Sequence, residues 1–279
     1  RAMRPHPLAR AARVTAAATI VALFLLPLAF LVSGSLRKPG LPPPRTPELV
    51  PDPVVPGNYG DAVDLVGLGR ATVNSLLVCA LAVPLAVVVA ALAGFALAHL
   101  PRRLARPLLA LSFAATMVPL TALLVPRFAL FRSLGLVDTW APLVAPALLG
   151  MSPFYVLIYY VAFRRLPAEL YEACRLEGMG PFATWRRVAM PLVRPVTAAV
   201  AVLAFVVTWS NFLDPLVYLF DRDLYTVPLA LRSLAQLDPT NHPLLLAGAV
   251  LATLPVVLAF LSAQRWFLGE HRGQGWLGR

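Results

Sequence analysis

Lysine occurs once in this 279-residue chain, at Lys38, and cysteine twice, at Cys79 and Cys174. The two cysteines lie far apart, one in an apolar run and one in a polar stretch, so they suggest neither a disulfide framework nor a thiolate metal site. His6, His99, His242 and His271 are scattered without ligand spacing. The setting of Lys38, "SLRKPG", lacks the glycine-rich loop that cradles phosphates, so the chain offers no P-loop of its own. Charged residues make up only 13% of the chain. The apolar runs carry no paired ionisable groups near mid-membrane, where ion-coupled transport needs them; Arg127 and Asp214 are read near the outer ends of their helices. A serine nucleophile with histidine, a paired-aspartate site and the H-E-x-x-H zinc signature are likewise missing, which removes intramembrane hydrolases.

What the chain does have is hydrophobicity: 59% of residues are apolar and the mean hydropathy is +0.75. Those values lie outside the range of soluble domains and indicate an all-α, polytopic membrane protein. Six runs are long and apolar enough to cross a hydrocarbon core of about 30 Å, each offering roughly 20 residues. They fall near Val14–Leu36, Thr72–Ala98, Pro107–Phe131, Ala141–Phe163, Val196–Phe220 and Leu244–Phe267. Arginines precede the first run, as in a signal peptide, but the run exceeds the roughly 7–15 residues of a signal core and reads as a span. Because the chain opens on Arg1 rather than methionine, native residues are expected to precede it.

The net charge of +11 is distributed by topology rather than gathered for nucleic acid. With the N-terminus inside, the arm 1–13, the loop 101–106, the segment 164–195 and the C-terminal end from Arg265 on carry sixteen of the 24 basic residues. Of the 13 acidic residues only Glu169, Glu172, Glu177 and Glu270 join them. This is the positive-inside pattern, and it predicts that both termini face the cytoplasm. The organisation expected is an arm 1–13, a first span 14–36, an outer loop 37–71, a core 72–268 with five further spans, and a tail 269–279. The outer stretch 37–70 is too rich in proline for regular helix and is expected to be an extended surface loop.

Between the fourth and fifth spans lies "ELYEACRLEGMGPFATWRRVAMPL", unusually polar for this chain. Pro167 suits the first turn of a short helix, and Glu169 and Glu172 suit its dipole. Leu166, Leu170 and Ala173 would share a face, and Gly178 would end the helix in the left-handed conformation. A second start at Pro181 would place Phe182, Trp185, Val188, Ala189 and Leu192 on one face, with Arg186 and Arg187 off it. Two short amphipathic helices joined by a glycine turn are therefore expected at the cytoplasmic membrane surface. Physically this could be an interfacial connector whose arginines meet lipid phosphates, or a docking element that transmits the push of a cytoplasmic partner.

Within it, Glu172, Ala173, Cys174, then Gly178, then Val188, Met190 and Pro191 resemble the motif E-A-A-x(3)-G-x(9)-I-x-L-P of bacterial ABC importer permeases. The spacing agrees throughout; Cys174, Val188 and Met190 are mild replacements. Together with "MPLVRPVTAAVAVLAFVVTWSNFLDPLVYL" and "QRWFLG", the likeness covers roughly residues 70–268 and resembles the carbohydrate branch, in particular the six-span second subunit of maltose-type pairs. The resemblance implies a cytoplasmic ABC ATPase dimer that receives the hairpin, a second homologous permease subunit and an extracytoplasmic substrate-binding protein. It implies no enzyme activity or cofactor on this chain, with ATP and Mg on the partner ATPase. Glu172 and Gly178 would be central to coupling. A non-transporting scaffold and an ion-driven secondary transporter are the competing classes.

A substrate path is expected to use polar groups that must avoid lipid. The candidates are Trp209, Ser210, Asn211 and Asp214, with Thr208, in "TWSNFLDP"; Tyr155 and Asn74 stand beside them, with Ser75, Thr116, Ser152 and Tyr159 weaker. Trp can equally be an interface anchor, and Asn or Ser a helix-packing contact.

Overall fold

The computed structural model describes residues 7–40 and 49–268, excepting the side chains of 7–12 and 265–268. Among the described residues every regular element is helical. They are α1 (Pro7–Ser35), α2 (Gly57–Leu65), α3 (Leu68–His99), α4 (Arg102–Ala115), α5 (Leu120–Ser133), α6 (Ala141–Val144) and α7 (Pro153–Arg164). There follow α8 (Ala168–Leu176), α9 (Pro181–Leu192), α10 (Arg194–Trp209), α11 (Leu213–Tyr218), α12 (Val227–Leu237) and α13 (His242–Leu268). Among the described residues, four stretches are long and apolar enough to cross a membrane by themselves: Arg13–Ser35, Leu68–His99, Ala141–Arg164 and His242–Gln264.

Two of the six expected spans are not straight. The run read as Pro107–Phe131 is α4 and α5, meeting at 85°. Pro119 explains the break: its ring clashes with the carbonyl four residues back, at Ala115, where α4 ends, and it pushes Val118 out of helical conformation. The run read as Val196–Phe220 stops at Trp209 and restarts as α11. Pro215 cannot sit above the Asn211 carbonyl in a continuous helix, and Ser210 and Asn211 bond locally instead. Ahead of it, α9 and α10 also meet at 85°. The outer stretch 37–71 is not wholly extended either, since α2 lies within it and α3 begins at Leu68.

The chain divides into two compact units. Of the described residues, one unit comprises those up to Gly69 with Ala230–Leu254, and the other Arg70–Leu229 with those from Pro255 on. In the first, Asn58 of α2 is buried and its amide donates to the carbonyls of Ser35 (2.7 Å) and Arg37 (2.8 Å). These bonds cap the exposed carbonyls at the end of α1, which explains why a helix forms in a proline-rich stretch. Ala62, Leu234, Leu244 and Ala247 make the apolar centre of this unit.

The second unit is organised on α3. Ala82, Ala86, Ala90 and Gly94 recur every four residues, and the three alanines are fully buried. Small side chains at this spacing let helix backbones approach closely in an apolar solvent, where the hydrophobic effect does not hold helices together. At Gly94 the approach is tightest, for a Cβ there would lie 2.6 Å from Tyr159 Cβ, 2.9 Å from Tyr160 N and 3.0 Å from Val156 O. Around this seam α3 and α7 build the main core with Phe95, Tyr155, Tyr159, Phe163, Val200 and Ala204.

Candidate functional site

The segment 164–195 is a hairpin of α8 and α9. Helix α8 has Glu169 in its first turn and Arg175 in its last, both favourable to its dipole. It ends in a Schellman motif: Met179 N–H donates to Cys174 O (2.9 Å) and Gly178 N–H to Arg175 O (3.0 Å), with Gly178 at φ +72°. The glycine turn expected from the sequence is therefore present. Pro167 stands just before the first helical turn as the cap residue rather than inside it.

The hairpin is bolted to the main core on one side. Tyr171 donates its hydroxyl to Phe163 O (3.1 Å) and lies edge-on to His99, with ring centroids 4.6 Å apart. Burial, and Cys174 beside it, push the Tyr171 phenol up to about 12, so it remains a neutral donor at any physiological pH. Cys174, Trp185 and Ala189 are buried, and the last two join the cluster of Phe163, Tyr155 and Val200. Tyr171 and Cys174 of α8 face the core, Leu170 is half-buried, and Leu166 just ahead of the helix packs on the same cluster; of the expected face Leu166, Leu170 and Ala173, only Ala173 is exposed.

Helix α9 carries one widened turn at Trp185–Ala189, in which Met190 N–H donates to the carbonyl of Trp185, five residues back. Such a turn inserts an extra residue, and Pro191 just beyond it could not have continued the regular ladder. This rotates the face: Trp185 and Ala189 point inward, Val188 is half-buried, and Leu192 turns outward with Phe182 at the other end. The outward surface therefore holds Glu172, Ala173, Gly178 and the apolar Leu176, Phe182 and Leu192; Leu176 is 90% exposed. Val188, Met190 and Pro191 are half-buried along its edge.

The polar residues at the break between α10 and α11 form a second constellation. Asn211 and Asp214 cap one another: Asn211 Nδ2 donates to Asp214 Oδ2 (3.0 Å) and Asp214 N–H donates to Asn211 Oδ1 (3.3 Å). Asp214 is only 6% exposed, and Arg127 of α5 pairs with its other oxygen, Oδ1, at 3.2 Å. That contact is an ion pair without hydrogen-bond alignment, so Oδ1 accepts no hydrogen bond. The Arg127 guanidinium also lies 5.7 Å from the centroid of the Tyr218 ring, a cation–π arrangement. Arg127 and Tyr218 were not among the expected site residues. A charge pair joining residues far apart in sequence leaves no periodic trace, and only the rarity of charges in apolar runs pointed to Arg127.

The other expected path residues make the following local contacts. Asn74 donates to the carbonyls of Asp223 (2.7 Å) and Tyr225 (3.0 Å), and Ser75 Oγ accepts from Val227 N–H (2.9 Å). Arg70 pairs with Asp223 beside them, so α3 holds this turn in place. Trp209 is buried and stacks on Phe205 at 5.7 Å; Ser210 is exposed and its hydroxyl bonds back to Val206 O (2.7 Å). Tyr155 is core, Ser152 caps α7, and Thr116 bonds to Phe113 O at the α4–α5 bend. Thr208 and Thr226 both line a small cavity, together with Ser75, Asn211 and Pro215.

Comparison with known proteins agrees with these features. Residues 81–268 match the family described as "Binding-protein-dependent transport system inner membrane component". The arabinooligosaccharides transport system permease protein AraQ of Halalkalibacterium halodurans is 32% identical over 195 residues, 70% of this chain and 69% of its own. The trehalose transport system permease protein SugB of Mycobacterium tuberculosis is 28% identical, covering 88% of this chain and 90% of its own. In fold, the chain resembles one in a crystal structure of a bacterial ABC transporter that imports alginate, with a TM-score of 0.73, 20% identity and coverage of 93% and 96%. With two thirds of its length matching the family and a helical multi-pass architecture to suit, this chain belongs to the inner-membrane components of binding-protein-dependent transport systems, the permease subunits of ABC importers.

Proposed function

We propose that the chain imports a sugar or sugar-like solute as one of two homologous permease subunits, driven by ATP hydrolysis on a cytoplasmic ATPase dimer that grips the α8–α9 hairpin. The hairpin carries the reading. One face is fused to the membrane core through Tyr171, Cys174, Trp185 and Ala189, while the other exposes Leu176 and Phe182 beside Glu172 and Gly178. Large apolar side chains on the outward face of a polar, membrane-flanking hairpin suit burial by a protein partner. Trp185 and Ala189 share one packed cluster with residues of α3, α7 and α10, a route by which a push there would reach them. ATP chemistry stays with that ATPase partner, together with Mg.

The solute class is supported by the relatives, which carry arabinooligosaccharides, lactose and trehalose, and by the alginate transporter. A related crystal structure, with a TM-score of 0.64, contains an alginate pentasaccharide-bound periplasmic protein, which supports an extracytoplasmic binding protein as the donor of cargo. The arginine distribution supports a bacterial inner membrane location with both termini in the cytoplasm. Nucleotide can shift the permease only by its differential affinity for the two access states.

The test is Gly178→Asp in the complex purified from native membranes and reconstituted in vesicles. Substrate-stimulated ATP turnover and uptake should both collapse while the ATPase subunits keep their basal turnover. Unchanged uptake, or a chain that repeatedly purifies without an ATPase, would return the hairpin to the role of a surface connector.

A further inference from the structure

A cleft of about 490 Å³ lies where the start of α4 packs on the end of α7. Arg102, Arg106, Arg164 and Arg165 contribute four guanidinium groups to its lining, and no carboxylate does. Among the described residues none of the four meets an acidic side chain. The remaining lining is Leu109, Leu157, Val161 and Tyr160, apolar apart from one phenol. Arg164 closes α7, at the end of a stretch that can cross a membrane, and Arg102 opens α4, the first limb of the bent pair α4–α5.

We propose that this cleft binds one anionic phospholipid, with its phosphate among the four arginines and an acyl chain along Leu109, Leu157 and Val161. Guanidinium forks match phosphate oxygens geometrically, and four like charges gathered without an acid repel one another until an anion joins them. Arg164 is held in position beforehand, since it donates to Ala98 O at 3.3 Å and its guanidinium lies 6.0 Å from the centroid of the Tyr160 ring. Fixing a side chain in this way lowers the ordering cost on binding. The uncapped N-terminus of α4 adds its positive dipole end at Arg102.

The shared chemistry is a phosphate anion, which a free ion or a lipid could supply. The apolar lining favours the lipid, since a free phosphate would leave half-buried Leu157 and exposed Val161 uncovered. Position favours it too, because basic pockets between spans on the cytoplasmic side suit anionic head groups. An acidic protein surface would instead meet charge and apolar residues on an open face, as on the outward side of α8 and α9.

Native mass spectrometry of the full-length protein in mild detergent decides it, with phosphatidylglycerol or phosphatidylcholine added at equal concentration. Wild type should retain one phosphatidylglycerol and little phosphatidylcholine. Arg102→Gln with Arg106→Gln should weaken retention at least about tenfold, from roughly fivefold per arginine near a charged surface. The control, Arg132→Gln with Arg222→Gln, removes equal charge from exposed positions elsewhere and should retain lipid as wild type does. Replacing Arg102 and Arg106 by lysine should restore most of the retention, and equal melting temperatures across the set would exclude misfolding as the cause. Equal retention of both lipids, or equal loss in the control, overturns the proposal. So does displacement by millimolar inorganic phosphate, which would make the cleft a free-anion site. Lipid retained by the chain alone but never by the assembled complex would assign the cleft to a protein partner.

Discussion

Gly94 and Gly178 are both glycines for physical reasons, and the reasons differ. At Gly178 nothing lies within 4 Å of where a Cβ would stand, so the constraint is the backbone, at φ +72°. Gly178→Ala should cost about 1–2 kcal/mol, and Gly178→Asn less, because asparagine tolerates the left-handed region. At Gly94 the backbone is helical and the constraint is space, with Tyr160 N and Val156 O of α7 already at 2.9 Å and 3.0 Å. Backbone atoms cannot rotate away as a side-chain tip can. Gly94→Ala should therefore force α3 from α7 at a cost of about 1–3 kcal/mol, and Gly94→Val more. Thermal unfolding of the detergent-solubilised protein checks both, with Gly178→Asn expected to melt highest of the variants. If Gly94→Ala melted like wild type, the α3–α7 seam would not be as tight as described.

At the scale of elements, the break between α10 and α11 is held by the charge pair of buried Asp214 with half-buried Arg127 across to α5. Taking Arg127 away leaves the Asp214 carboxylate buried and uncompensated, which typically costs about 3–5 kcal/mol, whereas Arg127 is only half-buried. Arg127→Met should accordingly destabilise strongly, whereas Arg127→Met with Asp214→Asn should recover much of the loss. A double-mutant cycle on melting temperature reads the coupling, and additive effects would mean that the pair contributes nothing. Nearby, Asp138 ties the α5–α6 connection to the end of α11, its Oδ1 accepting the N–H groups of Asp221 and Phe220 at 2.9 Å each. Those two bonds, Asp221 first, hold its carboxyl below the ordinary value of 3.8. The stabilisation is therefore complete above that value and is lost as pH falls through the lower folded value. Asp138→Ala should flatten the acid limb of the stability profile, and an unaltered limb would show that these bonds are not felt.

For the whole molecule, hydrophobic runs announced where the apolar helices lie, four of them long enough to cross a membrane singly and two as bent pairs, and glycine with proline announced the hairpin, because both signals are local. The 85° bends needed a different clue, and for α4 and α5 it is the clash of Pro119 with Ala115 O, which a hydropathy count passes over, as it does that of Pro215 with Asn211 O at the α10–α11 break. The widened turn of α9 likewise shifted which side chains face the core, since helical periodicity assumes an unbroken ladder. Of the expected path residues, Asn211 and Asp214 meet at the helix break, and their neighbours Arg127 and Tyr218 came from tertiary packing that no spacing encodes. Charge asymmetry is the remaining whole-chain signal, and it can be tested directly. Glu177 in the hairpin and Arg222 beyond α11 are both exposed, whereas the native Cys79 and Cys174 are buried and should resist labelling. In right-side-out vesicles a membrane-impermeant maleimide should label Arg222→Cys at once and Glu177→Cys only after permeabilisation, with the order reversed in inverted vesicles. The opposite order would place the hairpin outside, where no ATPase could reach it, and would remove the positive-inside argument together with the transport mechanism built on it.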